Sequence, residues 1–342
     1  MDRKLRRQLR KSLLLAFKIG LGSSLAICIA QLFHLDNSVA AGSITLLTLM
    51  TTKWGTVRLS IYRMITFLIC VALAFSIYHC FGSTWVDYGL FVFLTVAVCD
   101  LMGWTAAISV NALIGAHFLE SMDFSSHFIW NEFLLVLIGV CLAFVISLIY
   151  NYRGEKNHLV RKMRQVEGEL QMILGELAAY LSNKDMQRNV WKDIEELEKN
   201  LKRYIEEARE YQDNTFQSHP GYYIDYFEMR LDQCDIIYNL HNEASRMRSM
   251  PMQARVVAEY ILYMADYVVE HNTPNAQLDR LQQILQDMKK EELPATREEF
   301  ENRALLYHML MDLEDFLLIK SRFVDSLDEK KLKLYWKQES GN

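Results

Sequence analysis

Residues 64–152 begin MITFLICVALAFSIYH and end LLVLIGVCLAFVISLIYNY, and nowhere from Met64 to Tyr152 is there a lysine or an arginine. Basic residues crowd both flanks. Arg3, Lys4, Arg6, Arg7, Arg10 and Lys11 stand near the start, and Arg153, Lys156, Arg161, Lys162 and Arg164 follow the gap. A basic side chain at the centre of a bilayer costs about 3 kcal/mol, and basic residues collect on the cytoplasmic side. The pattern predicts an integral, multi-pass membrane protein with both termini in the cytoplasm.

Whole-chain averages conceal this. A net charge of -5 and 51% hydrophobic residues over 342 positions would suit a soluble protein. The halves differ, however. Residues 1–153 are apolar with few charges, whereas residues 154–342 hold most of the acids and bases. We read two domains: a transmembrane domain over 1–153 and a cytoplasmic α-helical domain over 154–342.

Outward from the uncharged stretch, the spans read in order. Leu13–Phe33 carries one charge, Lys18. Val39–Thr52 and Ile61–Phe81 follow. Tyr88–Phe118 is too long for one span, and Asp100, Gly103 and Trp104 at its middle mark a hairpin of Tyr88–Met102 and Thr105–Leu119. A span needs roughly 20 residues, fewer where its ends are buried in protein. Phe133–Tyr150 makes the sixth. Lys53, Arg58 and Arg63 then fall inside, and the outer loops His34–Ser38, Cys80–Asp87 and Glu120–Glu132 lack Lys and Arg. A five-span reading would put Arg153 and its neighbours outside. Ser38-Val39-Ala40 resembles a signal-peptide cleavage site, but the preceding apolar run exceeds a usual signal core, so the first helix is expected to stay attached.

The second half reads as an antiparallel helical bundle. Leu159, Met163, Val166, Leu170, Ile173, Leu177 and Leu181 recur by threes and fours. Val190, Ile194, Leu197, Leu201, Tyr204, Ala208 and Tyr211 repeat that spacing, so a hairpin through Ser182–Asp185 is predicted. His219-Pro220-Gly221 breaks the pattern. Further helices are expected over Tyr222–Ser249, from Pro251 to about His271, after Thr273-Pro274-Asn275, and from Pro294 with Thr296 as N-cap and Glu299 completing a capping box. No segment alternates with a strand period. The fold class is all-α: a six-helix transmembrane bundle followed by a cytoplasmic helical bundle.

Catalytic signatures are missing. The chain has no Walker A loop and no H-E-x-x-H. Glu155 and His158 form a single E-x-x-H, where a carboxylate-bridged metal bundle needs two. The six cysteines form no C-x-x-C, so neither disulfides nor zinc are expected, and neither a cofactor nor a metal is assigned. Cys234, Asp235 and His241 read as a buried polar seam, and Tyr260, Tyr263 and Tyr267 as core or interface. The second half is net acidic, which disfavours nucleic acid as a partner. An enzyme is not expected.

The apolar half is more informative. Lys18 lies about 9 Å into the first helix. It either snorkels to the interface or faces the bundle interior as a cation for an anionic substrate. Arg63 has the same two readings. Lys53, Trp54 and Arg58 form a cationic, aromatic stretch at the inner mouth, which topology alone also explains. Asn111 and His117 lie in the fifth span, six residues apart and on different sides of its helix. His117 is a possible proton site or a solvated outer residue.

These residues carry a resemblance. Phe17-Lys18 opens a run similar to the first helix of the aromatic acid exporter family and its fusaric acid resistance relatives. Ala40-Ala41-Gly42-Ser43-Ile44-Thr45-Leu46, with Thr56 and then Arg63 in Tyr62-Arg63-Met64, resembles the family's second helix and following loop. Ala112-Leu113-Ile114-Gly115-Ala116-His117 resembles its fifth helix. The glycine usual after the Arg is absent, since Thr66 to Cys70 contains none. In layout the chain resembles the half-size bacterial form throughout. That resemblance implies a plasma-membrane transporter exporting small organic anions such as aromatic carboxylates. Lys18, Arg63, Lys53 and Arg58 would attract the anion, Lys53 and Arg58 from water. Trp54 and Trp104 would stack on an aromatic ring. Larger relatives carry two such membrane halves in one chain, which implies a homodimer here. The alternative is a membrane-anchored regulatory protein whose helical domain binds a partner.

Overall fold

A computed structural model of the protein describes residues 3–49, 52–81, 85–148, 153–183, 190–215, 220–247 and 249–336. Every regular element among them is helical. Contacts divide the chain into two units: Met1–Asn151 with Asp213–Thr215, and Tyr152–Gln212 with Phe216–Asn342.

The first unit holds α1 (Arg3–Leu32), α2 (Val39–Leu49), α3 (Lys53–Phe81), α4 (Trp85–Leu101), a 3-10 turn (Thr105–Ala107), α5 (Ile108–Ser121) and α6 (Ser126–Leu148). The expected hairpin between α4 and α5 is present, with Gly103 at φ +71°, a conformation glycine adopts without a Cβ penalty. Two boundaries depart from expectation for one reason. The apolar run does not mark where these helices begin; capping side chains set the start. Thr52 Oγ1 accepts from Gly55 N at 3.2 Å, so α3 begins at Lys53 and the expected loop Lys53–Arg63 is helix. Ser125 Oγ accepts from Phe128 N at 3.3 Å, so α6 begins at Ser126 and Glu132 leaves the expected outer loop for a buried helical position. Asp87 likewise lies buried within α4.

Small residues let α2 approach α1 and α6. Ala26 and Ala30 of α1, Ala41 of α2 and Leu135 of α6 are wholly buried together. A Cβ on Gly139 would lie 2.7 Å from Ile44 Cβ and 2.9 Å from Ala41 O, so the two backbones meet where only glycine fits. Thr45 Oγ1 uses that approach, lying 2.9 Å from Ala41 O and 3.1 Å from Gly139 O. A second cluster joins Phe67, Phe91, Ile114 and Phe118 of α3, α4 and α5 to Val136 of α6. Large apolar side chains face outward: Leu13, Phe17, Leu32, Leu68, Phe93, Trp85 and Trp130 are each more than 60% exposed. By length and apolarity two segments, Lys53–Cys80 and Ser126–Leu148, suffice to cross a bilayer among the described residues; Ala16–Leu32 and Val39–Leu49 are shorter apolar helices.

The second unit holds α7 (Arg153–Asn183), α8 (Val190–Asn214), α9 (Tyr222–Arg246), α10 (Met252–Ala265), α11 (Asn275–Met288), α12 (Arg297–Asp325) and α13 (Glu329–Tyr335). All fourteen periodic residues named for α7 and α8 are buried. The turn between those helices lies partly outside the described residues, as does His219. Lys162 Nζ reaches Tyr204 OH at 3.1 Å across the α7–α8 seam. The most extensive packing is elsewhere, however: α7 lies on α10 and α9 on α12. Periodicity reveals that a helix has a buried face but not which helix covers it. The capping box before α12 forms, with Thr296 Oγ1 accepting from Glu299 N at 3.1 Å and Glu299 Oε2 accepting from Ala295 N at 2.9 Å. Helix α10 stops at Ala265, six residues short of His271, and α13 was not anticipated.

A charged network crosses this core. Glu167, Arg230, Glu270 and Lys320 are each at least nine-tenths buried, two acids against two bases. Tyr226 OH donates to Glu167 at 2.8 Å, Arg230 Nε donates to Tyr226 OH at 3.1 Å, and Arg230 Nη2 lies 3.7 Å from Glu167. Tyr222 OH donates to Glu270 at 2.6 Å, and Lys320 Nζ donates to Glu270 O at 2.7 Å. Burial, with the Arg230 charge adding to it, pulls the Lys320 ammonium down to about 7.

Two predictions follow from this packing. Gly139→Ala should destabilise the protein by about 1–3 kcal/mol through overpacking, because one of the atoms it meets is backbone. Gly20→Ala, with open space around its Cβ, should not. Thermal unfolding in detergent compares them. For Lys320 the folded pKa lies below the unfolded value of 10.5, so the unfolded chain binds the extra proton between about pH 7 and 10.5. Its contribution therefore makes stability rise with pH in that window, by at most about 1.4 kcal/mol per pH unit. Lys320→Met should flatten the rise in melting temperature between pH 7 and 9 relative to the parent; an unchanged slope would refute the assignment.

Candidate functional site

Arg63 sits nearly three turns into α3, and its side chain is 1% exposed. Its guanidinium turns inward to α2, where Nη1 donates to Thr48 Oγ1 and lies 3.4 Å from Ile44 O. The Nε–H is buried and has no protein acceptor. The side chain therefore faces the bundle interior and does not snorkel to the interface. A guanidinium with an unused donor in an apolar interior can bind an acceptor in a way an interfacial arginine cannot.

The other expected cations separate. Lys53 was expected in water, but it is 4% exposed, with Nζ 3.5 Å from Leu148 O. The cause is the earlier start of α3, which folds the first turn against the end of α6. Lys18 is half-buried and near enough to Lys53 for their like charges to interact. Arg58 is exposed, as expected. Trp54 is half-exposed. Trp104 already has an aromatic partner of its own: its ring stacks on Tyr62, centroids 5.2 Å apart, one residue before Arg63.

Asn111 and His117 do not share a site. Asn111 is wholly buried, its Nδ2 donating to Ala107 O at 3.1 Å while Oδ1 has no partner. His117 is not simply solvated: its side chain is 16% exposed and paired. Its Nδ1 lies 2.9 Å from Glu132 Oε2, and Glu132 is completely buried. Asn131 Nδ2 reaches Glu132 Oε1 at 3.3 Å, and Asn131 Oδ1 accepts from Asp36 N at 2.8 Å in the α1–α2 turn. This cluster ties α5, α6 and that turn together and can hold a proton between imidazole and carboxylate. Sequence reasoning missed Asn131 and Glu132. The signal that could have found them was Ser125 as a helix cap, which turns an acidic "loop" residue into a buried one.

In the second unit, the seam read from Cys234, Asp235 and His241 holds only in part: Cys234 and His241 are buried and Asp235 is exposed. Burial raises the Cys234 thiol to about 12, which makes it inert. His158 of the single E-x-x-H pairs with Glu207 at 3.4 Å across to α8. Tyr260 is core, its OH donating to Gln277 O at 3.0 Å, whereas Tyr267 is 42% exposed.

Comparison with known proteins covers both units. Residues 14–150 match the family described as "Aromatic acid exporter family member 1", and residues 156–321 match the "Putative aromatic acid exporter C-terminal domain". The chain is 29% identical over 321 residues to "Uncharacterized protein YqjA" of Bacillus subtilis (strain 168), covering 92% of this chain and 97% of that one. A solved structure described as "Crystal structure of putative membrane protein from Clostridium difficile 630" is 25% identical, with a TM-score of 0.45, and spans 49% of this chain and 98% of its own.

Proposed function

Because the chain belongs to the aromatic acid exporter family, we propose that it exports small organic anions such as aromatic carboxylates from a bacterial cell. The observation that carries this reading is Arg63, a fully buried guanidinium with an unused Nε–H among apolar helices. A carboxylate leaving water loses its hydration, and fixed positive charge in the bundle offsets that cost. Arg63 would hold the anion, and Lys18 with Lys53 would draw it toward the same end of the bundle. Arg58 acts from solvent by steering. Tyr62, one residue before Arg63 in the chain, and Trp104 form a stacked aromatic pair against which a ring can pack. Asn111, with an unpartnered Oδ1, and the His117–Glu132 pair are polar stations further along α5.

The same reading includes six membrane crossings, with both termini and the start of α3 in the cytoplasm. The Lys/Arg distribution and the outward-facing Leu, Phe and Trp side chains support it. It also includes a homodimer, since six short helices make a small bundle to enclose a path. A cysteine placed at Ser340 should resist impermeant thiol reagents in intact cells, whereas one at Asp123 should react. The detergent-solubilised particle should have the mass of two chains.

Efflux tests the mechanism. Arg63→Gln and Lys18→Gln should each raise intracellular accumulation of aromatic acids at matched membrane levels, and Arg58→Gln should do less. Lys53→Gln should fall between these, because Lys53 is buried near Lys18. Arg63→Lys keeps the charge but not the planar fork, so partial activity means charge suffices and near-complete loss means bidentate binding is required. Export equal to the parent in both Gln variants would leave the cations as topology signals and favour the membrane-anchored regulatory reading.

A further inference from the structure

Helices α9 and α12 bring together three side chains that neither the transport reading nor the core packing uses. Glu243 comes from α9, and His308 and Asp312 stand one turn apart on α12. One ligand atom from each lies within 4.8 Å of the others. Glu243 and Asp312 are each 8% exposed, whereas the His308 side chain is 65% exposed. His308 Nδ1 contacts Glu243 Oε1. One oxygen of each carboxylate, Glu243 Oε2 and Asp312 Oδ2, is buried and has no hydrogen-bond partner.

An arrangement of two buried carboxylates and one imidazole is costly as it stands. A buried carboxylate oxygen without a donor forfeits its hydration, about 1–3 kcal/mol and more when charged. Burial raises both carboxyl groups above their usual range, and the Asp312 charge raises Glu243 further, while His308 opposes the shift at each. A single cation at their centre would satisfy both oxygens and cancel the repulsion. One nitrogen and two carboxylate donors suit a divalent first-row transition ion better than magnesium, which keeps oxygen ligands and several waters. The exposed imidazole leaves one side open for water or a further ligand.

We propose that Glu243, His308 and Asp312 form a divalent transition-metal site that clips α9 to α12. Glu243 and His308 stand 65 residues apart in sequence, so no short motif announces the site. The exposed position of His308 allows entry without opening the core.

The experiment uses the full chain in detergent after EDTA treatment. Zn2+ titrated by calorimetry should bind at one ion per chain and raise the melting temperature in a concentration-dependent way. Mg2+ at the same concentration should do neither. His308→Ala and Asp312→Asn should each weaken zinc binding by about tenfold or more. Asp312→Asn removes one of two repelling acids, so its metal-free melting temperature should equal or exceed the parent's, which separates loss of a ligand from loss of folding. His158→Ala, at the histidine that pairs with Glu207, should bind zinc as the parent does. Absence of zinc binding in the parent, or equal binding in the His308 and Asp312 variants, would overturn the proposal.

Discussion

Inside an apolar helix bundle, each polar group must find its partner within the protein, because no water is there to supply one. Much of the first unit's geometry answers to that constraint. Arg63 brings α3 to α2 because Thr48 Oγ1 and Ile44 O are the acceptors it reaches. Glu132 fixes α6 against α5 through His117, and Asn131 beside it secures the α1–α2 turn through Asp36. Thr45 bonds the backbone of α6 directly, which is possible only where Gly139 lets the two helices touch. Side-chain hydrogen bonds here determine which helices are neighbours, since apolar faces alone are interchangeable against lipid tails.

Among the described residues of this bundle the constraint is unmet at Ser23 Oγ, Arg63 Nε and Asn111 Oδ1, and the last two lie on the proposed transport route. Arg63 keeps an unused donor, and Asn111 an unused acceptor. Elsewhere in this bundle, threonine and serine hydroxyls turn back on the preceding helical turn, as Thr56, Ser60 and Thr66 do. A residual donor at a buried cation differs from these, because a carboxylate can satisfy it more strongly than a neutral acceptor.

The second unit meets the same problem with charge pairs. Glu167, Arg230, Glu270 and Lys320 are held by tyrosine hydroxyls and a backbone carbonyl, so their burial is tolerated by mutual neutralisation. The Glu243–His308–Asp312 cluster is less balanced: two acids share one imidazole, with the Arg246 charge acting on Glu243 and the Asp315 charge on Asp312. That asymmetry sets it apart from the network that Lys320 joins further along α12.

The sequence by itself determined the class. A long stretch without Lys or Arg and the 3.6-residue periodicity of α7 and α8 follow from solvation costs that each residue meets locally, and so they can be read from the chain. The hairpin at Gly103 and the capping box at Thr296 are local in the same sense. Helix starts at Lys53 and Ser126 were also written locally, in Thr52 and Ser125, but a reading by apolarity passes over them. Only the tertiary structure decided that Lys53 is buried, that Trp104 already stacks on Tyr62, that His117 holds Glu132, and that α7 lies on α10. Each of these depends on which apolar face covers which. Hydrophobic burial is non-directional, so the pattern of a face does not name its partner. The positions of buried charges do, but those become visible only once the helices are packed.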